Sequence, residues 1–280
     1  MLLISCWRSA IKELELSSPS AYLDTELLFG HVLGLTRAQL HSQHPDRLLT
    51  TRQQKNIQQL ITRRLAGEPV AYLLGRQEFW SLSFEVTPEV LIPRPETELL
   101  VQKVLDTFGI EPRKIADLGT GSAAIVVALA LSRPAWQFVA SDCSPGALQV
   151  AERNIRRYHI QSIELRQGDW CQALLVDEKF DVILSNPPYL ALDDPHLQTE
   201  CALAYEPKNA LISGEKGLND LEIIIQQARA YLRKGGILFL EHGYQQAVFV
   251  EEFFLKYGYQ QIKSYKDLAG HQRVSSGKWN

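Results

Sequence analysis

Apolar residues recur along the first 66 positions at intervals of three and four. Leu3, Trp7, Ala10, Ile11 and Leu14 share one helical face, and Tyr22, Leu23, Leu27, Leu28, Val32 and Leu33 share a second. Ser18-Pro19 reads as the start of that second helix and Gly34 as its end. Thr36 is placed to cap a short third helix. Thr50 or Thr51 is placed to cap a fourth, with Ile57, Leu60, Ile61 and Leu65 inward and Gly67 as terminator. The pattern predicts a small all-helical bundle over residues 1–66.

From Lys114 the rhythm changes. Short apolar runs at 114–118, 136–142, 161–166, 180–185 and 236–241 alternate with helical stretches ending near Ser132 and covering Pro145 to Tyr158, 218–233 and 244–257. Segments 259–264 and 271–277 read as a closing hairpin. Repeated βα units predict an α/β fold: a mostly parallel sheet with helices on both faces. Between the two parts, residues 67–96 carry Pro69, Pro88, Pro93 and Pro95 and the strand-like run from Phe79 to Val86. They read as a hairpin followed by a proline-stiffened connector, with Thr97 capping the helix that carries Leu99, Leu100, Val104, Leu105 and Phe108. Arg94 and Glu98 fall where a lid over the next domain's site would form. The expected division is 1–66, 67–96 and 97–280.

Composition narrows the class. At 280 residues, 45% hydrophobic and 22% charged, the chain has the balance of a soluble globular protein. A formal net charge of −3 supplies no global field toward nucleic acid, and none is expected as a direct partner. Arg52, Lys55, Arg63 and Arg64 cluster late in the bundle, as a solvated face or a docking surface for a protein partner. Cys6, Cys143, Cys171 and Cys201 form no C-x-x-C pair and have no histidine at metal-ligand spacing. They read as reduced and buried in a cytoplasmic protein, and no metal is expected. The start has no charged n-region, and no stretch approaches the length of a membrane span.

Two motifs carry the chemistry. Gly119 and Gly121 permit a tight turn at a helix amino terminus, where a ligand can approach the backbone. Asp142, at the end of the next strand, is placed to accept from two ribose hydroxyls, and Asp169-Trp170, ending the third, to hold an adenine ring. The order traces an adenosine-like ligand across three strand ends. The same glycines fit the G-x-G-x-x-A of a dinucleotide site, so a nicotinamide oxidoreductase stays open at this point. The second motif is Asn186-Pro187-Pro188-Tyr189, ending an apolar strand. The prolines forbid helix and stiffen the loop. Asn186 then presents an acceptor and a donor, the Asn186 and Pro187 carbonyls add acceptors, and Tyr189 offers a flat face. Such a corner suits a planar group bearing an NH2, whose delocalised lone pair makes it a poor nucleophile until two acceptors orient it. His159, His196 and His242 hold no obvious position for hydride chemistry, and His242 reads as structural.

Together, Asp117-Leu118-Gly119-Thr120-Gly121 and Asn186-Pro187-Pro188-Tyr189 resemble the class I S-adenosylmethionine-dependent methyltransferases acting on planar nitrogen. Glu68 to Gly75, Leu91 to Glu98, Asp169-Trp170, Tyr205-Glu206-Pro207 and Leu240-Glu241-His242-Gly243 extend the likeness over nearly the whole chain. They resemble the bacterial protein-(glutamine-N5) methyltransferases of peptide chain release factors, the PrmC/HemK family. The resemblance implies a class I methyltransferase domain with a helical substrate-docking head. It implies methyl transfer from S-adenosylmethionine to the glutamine of the Gly-Gly-Gln loop of class I release factors. Gly119, Thr120, Gly121, Ser122, Ala123, Asp142, Asp169, Trp170 and Asn186 would line the cofactor site. Asn186, Pro187, Pro188 and Tyr189 would grip the glutamine amide, with Asn186, Pro187 and Tyr189 catalytic. The family usually has glycine where this chain has Ala123, whose Cβ either crowds the cofactor or is tolerated at negative φ. Competing readings are an N6-adenine methyltransferase of nucleic acid, a glutamine methyltransferase of a ribosomal protein, and a non-catalytic binding protein.

Overall fold

Two threonines set the register of the amino-terminal helices. The Thr36 and Thr50 hydroxyls accept from the backbone N–H of Gln39 and Gln53, and each glutamine reaches back to its threonine's N–H, closing two capping boxes. The computed structural model describes residues 1–44 and 46–280. They divide into one unit of Met1–Arg76 with Gln198–Tyr205, and another of Gln77–Leu197 with Glu206–Asn280.

The first unit holds α1 (Leu3–Leu14), α2 (Ala21–Leu33), α3 (Arg37–His41), α4 (Thr51–Leu65) and α5 (Val70–Leu74). Leu14, Leu28, Phe29, Ile57 and Ile61 meet in its core. Gly34, at φ 66°, ends α2 in the left-handed conformation that glycine allows. α2 begins at Ala21 rather than at Ser18-Pro19. The Ser18 hydroxyl donates instead to Asp24 at 2.8 Å, and Arg64 Nε reaches the same carboxylate at 2.7 Å. The buried acid is thus fully paired, as burial of a charge requires. α5 lies inside the expected connector and buries Ala71, Tyr72 and Leu73. Residues 67–76 group with the helices and 77–96 with the sheet.

The remaining elements are β1 (Arg76–Phe79), β2 (Leu82–Glu85), a 3-10 turn at Pro95–Thr97, α6 (Glu98–Thr107), β3 (Lys114–Leu118), α7 (Ala124–Ser132), β4 (Gln137–Asp142), α8 (Pro145–Arg157), β5 (Ile163–Gln167), β6 (Phe180–Ser185), α9 (His196–Thr199), α10 (Asn219–Ala228), β7 (Leu232–Glu241), α11 (Ala247–Lys256), β8 (Gln260–Lys266) and β9 (Gln272–Lys278). The sheet order is β5-β4-β3-β6-β7-β9-β8, parallel through β7, with β9 antiparallel to both neighbours. Alternate residues face opposite layers. Ile115, Val182 and Leu184 join one core with α6, α7, α8 and the hairpin, while Ala116, Leu118 and Ile183 join the other with α10 and α11. This is the class I methyltransferase architecture. The register sets Leu118 beside Ser141 and Ser185, and Ser185 beside Leu240. The carboxyl ends of β3, β4, β6 and β7 thus form one rim.

All four cysteines are free, but only Cys6 and Cys171 are buried. Cys143 and Cys201 are exposed, contrary to the expectation of four buried thiols. Cys143 follows the end of β4, on the rim, and Cys201 lies in a short 3-10 turn, so neither is covered by a second layer. Among the described residues, no helix is long and apolar enough to cross a membrane.

Candidate active site

A cleft opens at the rim, where ligands sit in open α/β sheets. Gly119, Thr120, Gly121, Ser122, Asp142, Asp169, Trp170, Asn186 and Pro188 all line it. The turn after β3 explains its own sequence. Gly119 and Gly121 have φ 75° and 54°. The N–H groups of Gly119 and Thr120 both donate to Ser141 O, at 2.9 and 2.8 Å. A Cβ on Gly119 would lie 3.1 Å from the Trp170 ring, so the glycine lets the indole close over the turn. Trp170 is itself at φ 44°, with its indole N–H donating to Asp220 at 3.1 Å.

Asp142 organises the turn as well as facing the cleft. One oxygen accepts from Gly121 N and the other from Ser144 N, each at 2.9 Å. Burial raises its pKa against those backbone donors. Each oxygen keeps a lone pair for a ligand hydroxyl. Asp169 borders the cleft beside Gly168, whose N–H donates to Asp142 O at 3.1 Å.

Three expected site residues stand back from the cleft. Ala123 is fully buried in the core at φ 64°, so the alternative in which its Cβ is tolerated at negative φ does not hold. The αL conformation costs a residue with a Cβ about 1–2 kcal/mol. Pro187 is buried, and Tyr189 packs against the α10–α11 layer. Burial, followed by the negative charge of Glu241, raises the Tyr189 phenol above its ordinary pKa. The loop they form is pinned from behind. Gln246 donates to Tyr189 O at 2.9 Å and to Gly217 O at 3.1 Å, and accepts from Gly243 N at 2.8 Å. Ser185 Oγ donates to Leu118 O at 2.6 Å, tying the start of the loop to β3.

The Asn186 amide is half satisfied. Nδ2 donates to Thr97 Oγ1 at 3.1 Å, while Oδ1 is buried with no partner among the described residues. A buried orphan acceptor is costly unless something fills it. Thr97 does not cap α6 through its side chain, as its position suggested. Its hydroxyl accepts instead from Asn186. Glu241, at the end of β7, is 1% exposed, and its Oε2 also lacks a partner. Burial pushes its pKa up to about 7, against the neighbouring Thr97 hydroxyl and the charge of Arg273.

The strap over the cleft differs in part from expectation. Arg94 borders the cleft and pairs with Glu206, which also accepts Ile92 N at 3.0 Å. Glu98 turns away and accepts Trp80 N at 2.7 Å, closing the β1–β2 turn. His242 is fully buried between Gly243 O at 2.9 Å and Ser275 Oγ at 2.8 Å, and burial lowers its pKa, consistent with a structural residue. Asp117, Thr97, Glu241 and Gln246 join or support the rim; Thr97 was expected only as a helix cap, Asp117 and Glu241 were visible only inside longer motifs, and Gln246 was not singled out.

The orphan oxygen of Asn186, the glycine-lined approach and the acidic rim fit S-adenosylmethionine: an adenosine group with a cationic, carbon-electrophile end. Among the described residues, no group of three or more His, Cys, Asp or Glu is arranged to hold a metal ion.

Comparison with known proteins agrees with this geometry. The domain described as PrmC N-terminal domain matches residues 5–75, and one described as Methyltransferase domain matches residues 112–276. The chain is 44% identical to the release factor glutamine methyltransferase of Coxiella burnetii over 94% of each chain. It is 41% identical to the Escherichia coli protein of that name over 97% of each. Among solved structures, the human Mettl16 catalytic domain aligns with a TM-score of 0.58 at 18% identity, over 79% of this chain and 82% of that one. A Pyrococcus furiosus methyltransferase aligns at 0.53 and 21%, over 78% and 96%. At those identities the likeness is one of fold.

Proposed function

The chain belongs to the release factor glutamine methyltransferases, and on that premise we infer how its own residues perform the transfer. The protein is an S-adenosylmethionine-dependent methyltransferase that modifies a glutamine side-chain amide of release factors. We place the acceptor in the Gly-Gly-Gln loop of class I release factors, in the cytoplasm where those factors act.

The observation that carries the reading is the orphan Asn186 Oδ1, buried on the same cleft as the Gly119–Gly121 turn. S-adenosylmethionine supplies an electrophilic methyl carbon. Gly119, Thr120, Gly121, Ser122, Asp142, Asp169 and Trp170 would hold it, with Asp142 placed to accept from the ribose. Asn186 Oδ1 accepts one N–H of the glutamine amide, and the Pro187 carbonyl accepts the other. Holding both hydrogens fixes the direction of the nitrogen's lone pair and favours its pyramidal form. Pro188 closes on the amide plane and excludes water, while Tyr189 braces the loop from the α10–α11 layer. No side chain removes a proton beforehand. The nitrogen becomes acidic as it is alkylated, and Asn186 Oδ1 steadies the N–H until the proton leaves to solvent. Orientation accounts for most of the acceleration. The prolines prearrange the loop, so little entropy is lost when the acceptor binds.

Incubation of a release factor with enzyme and cofactor, followed by peptide mass spectrometry, is expected to show one added methyl on the Gly-Gly-Gln glutamine. Asn186→Ala is expected to lower kcat at least a hundredfold while S-adenosylhomocysteine binds within a few-fold of normal. Methyl on nucleic acid and none on the release factor would overturn the reading, as would near-normal turnover by Asn186→Ala.

A further inference from the structure

Trp170 lines the cleft in a conformation that its own backbone disfavours. It opens the 3-10 turn Trp170–Ala173 after β5 and, at φ 44°, is the one cleft-lining residue other than glycine, among the described residues, with positive φ. A bulky side chain is rarely found there, and holds its place only where the surroundings over-determine it. Two neighbours fix the ring. The six-membered edge, Cζ3 and Cη2, lies against the Gly119 turn, 3.1 and 3.6 Å from where a Cβ on that glycine would stand. The indole N–H donates to Asp220 Oδ1 at 3.1 Å. The first contact sets how near the ring can come; the second sets its direction.

Asp220 is itself held firmly. It stands in the first turn of α10, and its N–H donates to Ser213 Oγ at 2.8 Å. Ser213 is 1% exposed, and its own N–H donates to Leu190 O at 3.0 Å. Leu190 N donates to Leu211 O at 2.9 Å, and Leu192 N to Gly214 O at 3.0 Å. The segment carrying Asp220 is therefore paired with the chain that continues the Asn186–Tyr189 loop. Asp220 does not line the cleft. An acid in a first helical turn ordinarily serves the N–H groups of its own helix. This carboxylate instead accepts from an indole 50 positions earlier in the chain.

We propose that Asp220 is a positioning residue for the cofactor: by holding the indole N–H it keeps Trp170 against the Gly119 turn, as a wall for the adenine ring. This rests on the reading of Trp170 as part of the S-adenosylmethionine site. A carboxylate accepts and never donates, so the indole N–H has one arrangement to adopt, and a bond to a charged group is stronger than a neutral one. Without it the ring is free to turn into the space the adenine fills, and the strained backbone is free to relax. The cofactor must then reorder the wall as it binds, at the expense of affinity. Asn186 keeps its own tie to Thr97, and Ser185 its tie to Leu118, so the loss falls on cofactor binding and not on the transfer step.

The test compares full-length wild type with Asp220→Ala, Asp220→Asn, Trp170→Phe, Trp170→Ala and the Asp220→Ala/Trp170→Phe pair. S-adenosylhomocysteine affinity is measured by calorimetry, and methyl transfer to a release factor is followed at varied S-adenosylmethionine. Asp220→Ala is expected to raise the S-adenosylhomocysteine Kd and the S-adenosylmethionine KM roughly tenfold, with kcat within about threefold of wild type. Asp220→Asn keeps an acceptor oxygen and restores most of the loss. Phenylalanine has a flat face but no N–H, so adding Asp220→Ala to Trp170→Phe changes Kd by less than about twofold. Asp220→Ser, too short to reach the indole but suited to a helix start, carries the same comparisons should the alanine variant not fold. Wild-type affinity in Asp220→Ala, no rescue by Asp220→Asn, or an equal loss in the phenylalanine background would each overturn the proposal and leave the cofactor site standing. Unchanged affinity in Trp170→Ala would instead remove Trp170 from the cofactor site, and the proposal with it.

Discussion

Asp117→Asn separates what a buried carboxyl costs the fold from what it does at the rim. Asp117 ends one residue before the turn, on β3, and is 1% exposed. One oxygen accepts from the Thr120 hydroxyl at 2.7 Å, and the other has no partner among the described residues. Burial, with a smaller contribution from the charge of Asp142, raises its pKa from 3.8 to about 7. The folded state therefore holds the proton more tightly than the unfolded chain. Its stabilising effect is complete below about pH 4 and is lost as the pH rises through about 7. The whole shift of roughly three units corresponds to about 4 kcal/mol, of which about 2.5 kcal/mol disappears between pH 5 and pH 8. Asparagine keeps the shape and an acceptor for Thr120 but does not titrate, so any fixed cost of the amide cancels between the two pH values. In urea unfolding of the apoprotein followed by tryptophan fluorescence, the stability of Asp117→Asn relative to wild type is expected to rise by about 2.5 kcal/mol from pH 5 to pH 8. A relative stability constant within about 0.5 kcal/mol over that range would refute the desolvation argument.

Other substitutions probe how the turn is held. Asn154 is fully buried, accepting Glu85 N at 2.7 Å and donating to Glu85 O and Ser122 O at 3.0 and 2.9 Å, so Asn154→Ala strands three groups and should cost about 3 kcal/mol in urea unfolding. At φ 64°, Ala123→Gly trades αL strain against unfolded-chain entropy and should change stability by less than about 1 kcal/mol, whereas the branched side chain of Ala123→Val should destabilise by more than about 2 kcal/mol. A cationic ligand favours ionised Asp117, whose pKa is raised to about 7, so calorimetry near pH 6.5 in buffers of different ionisation enthalpy should show protons released on binding S-adenosylmethionine, fewer with S-adenosylhomocysteine.

Much of the fold was legible because Phe138-Val139-Ala140 in β4 and Val182-Ile183-Leu184 in β6 are continuous apolar runs with abrupt polar ends, the pattern of strands buried on both faces. The failures have local causes. β7 begins at Leu232, well before the expected 236, because Gly235 and Gly236 read as a break. In the sheet they continue the strand past a register shift opposite Phe180–Val182. α5 is five residues between Pro69 and Gly75, too short to show a period. The hairpin turn is built from Trp80 and Ser81, both at positive φ, rather than from the glycine or asparagine that usually marks such a turn.

The candidate site was legible where one residue type has one use. Paired glycines before a helix and an asparagine before two prolines have few structural reasons to occur at strand ends. Thr97 shows the opposite case. A threonine preceding a helix is the ordinary signature of a cap, and the local sequence contains nothing to distinguish capping from a bond to a residue 89 positions away. Its backbone settles the matter: φ −65° and ψ −20° place Thr97 already in helical geometry at the end of the 3-10 turn, where its hydroxyl is not aimed at the N–H groups of the next turn. The prolines at 93 and 95 make this so, by forcing the chain to enter the helix through a tighter turn and freeing the side chain to face β6. The stiffness that read as a connector is what delivers a hydroxyl to Asn186.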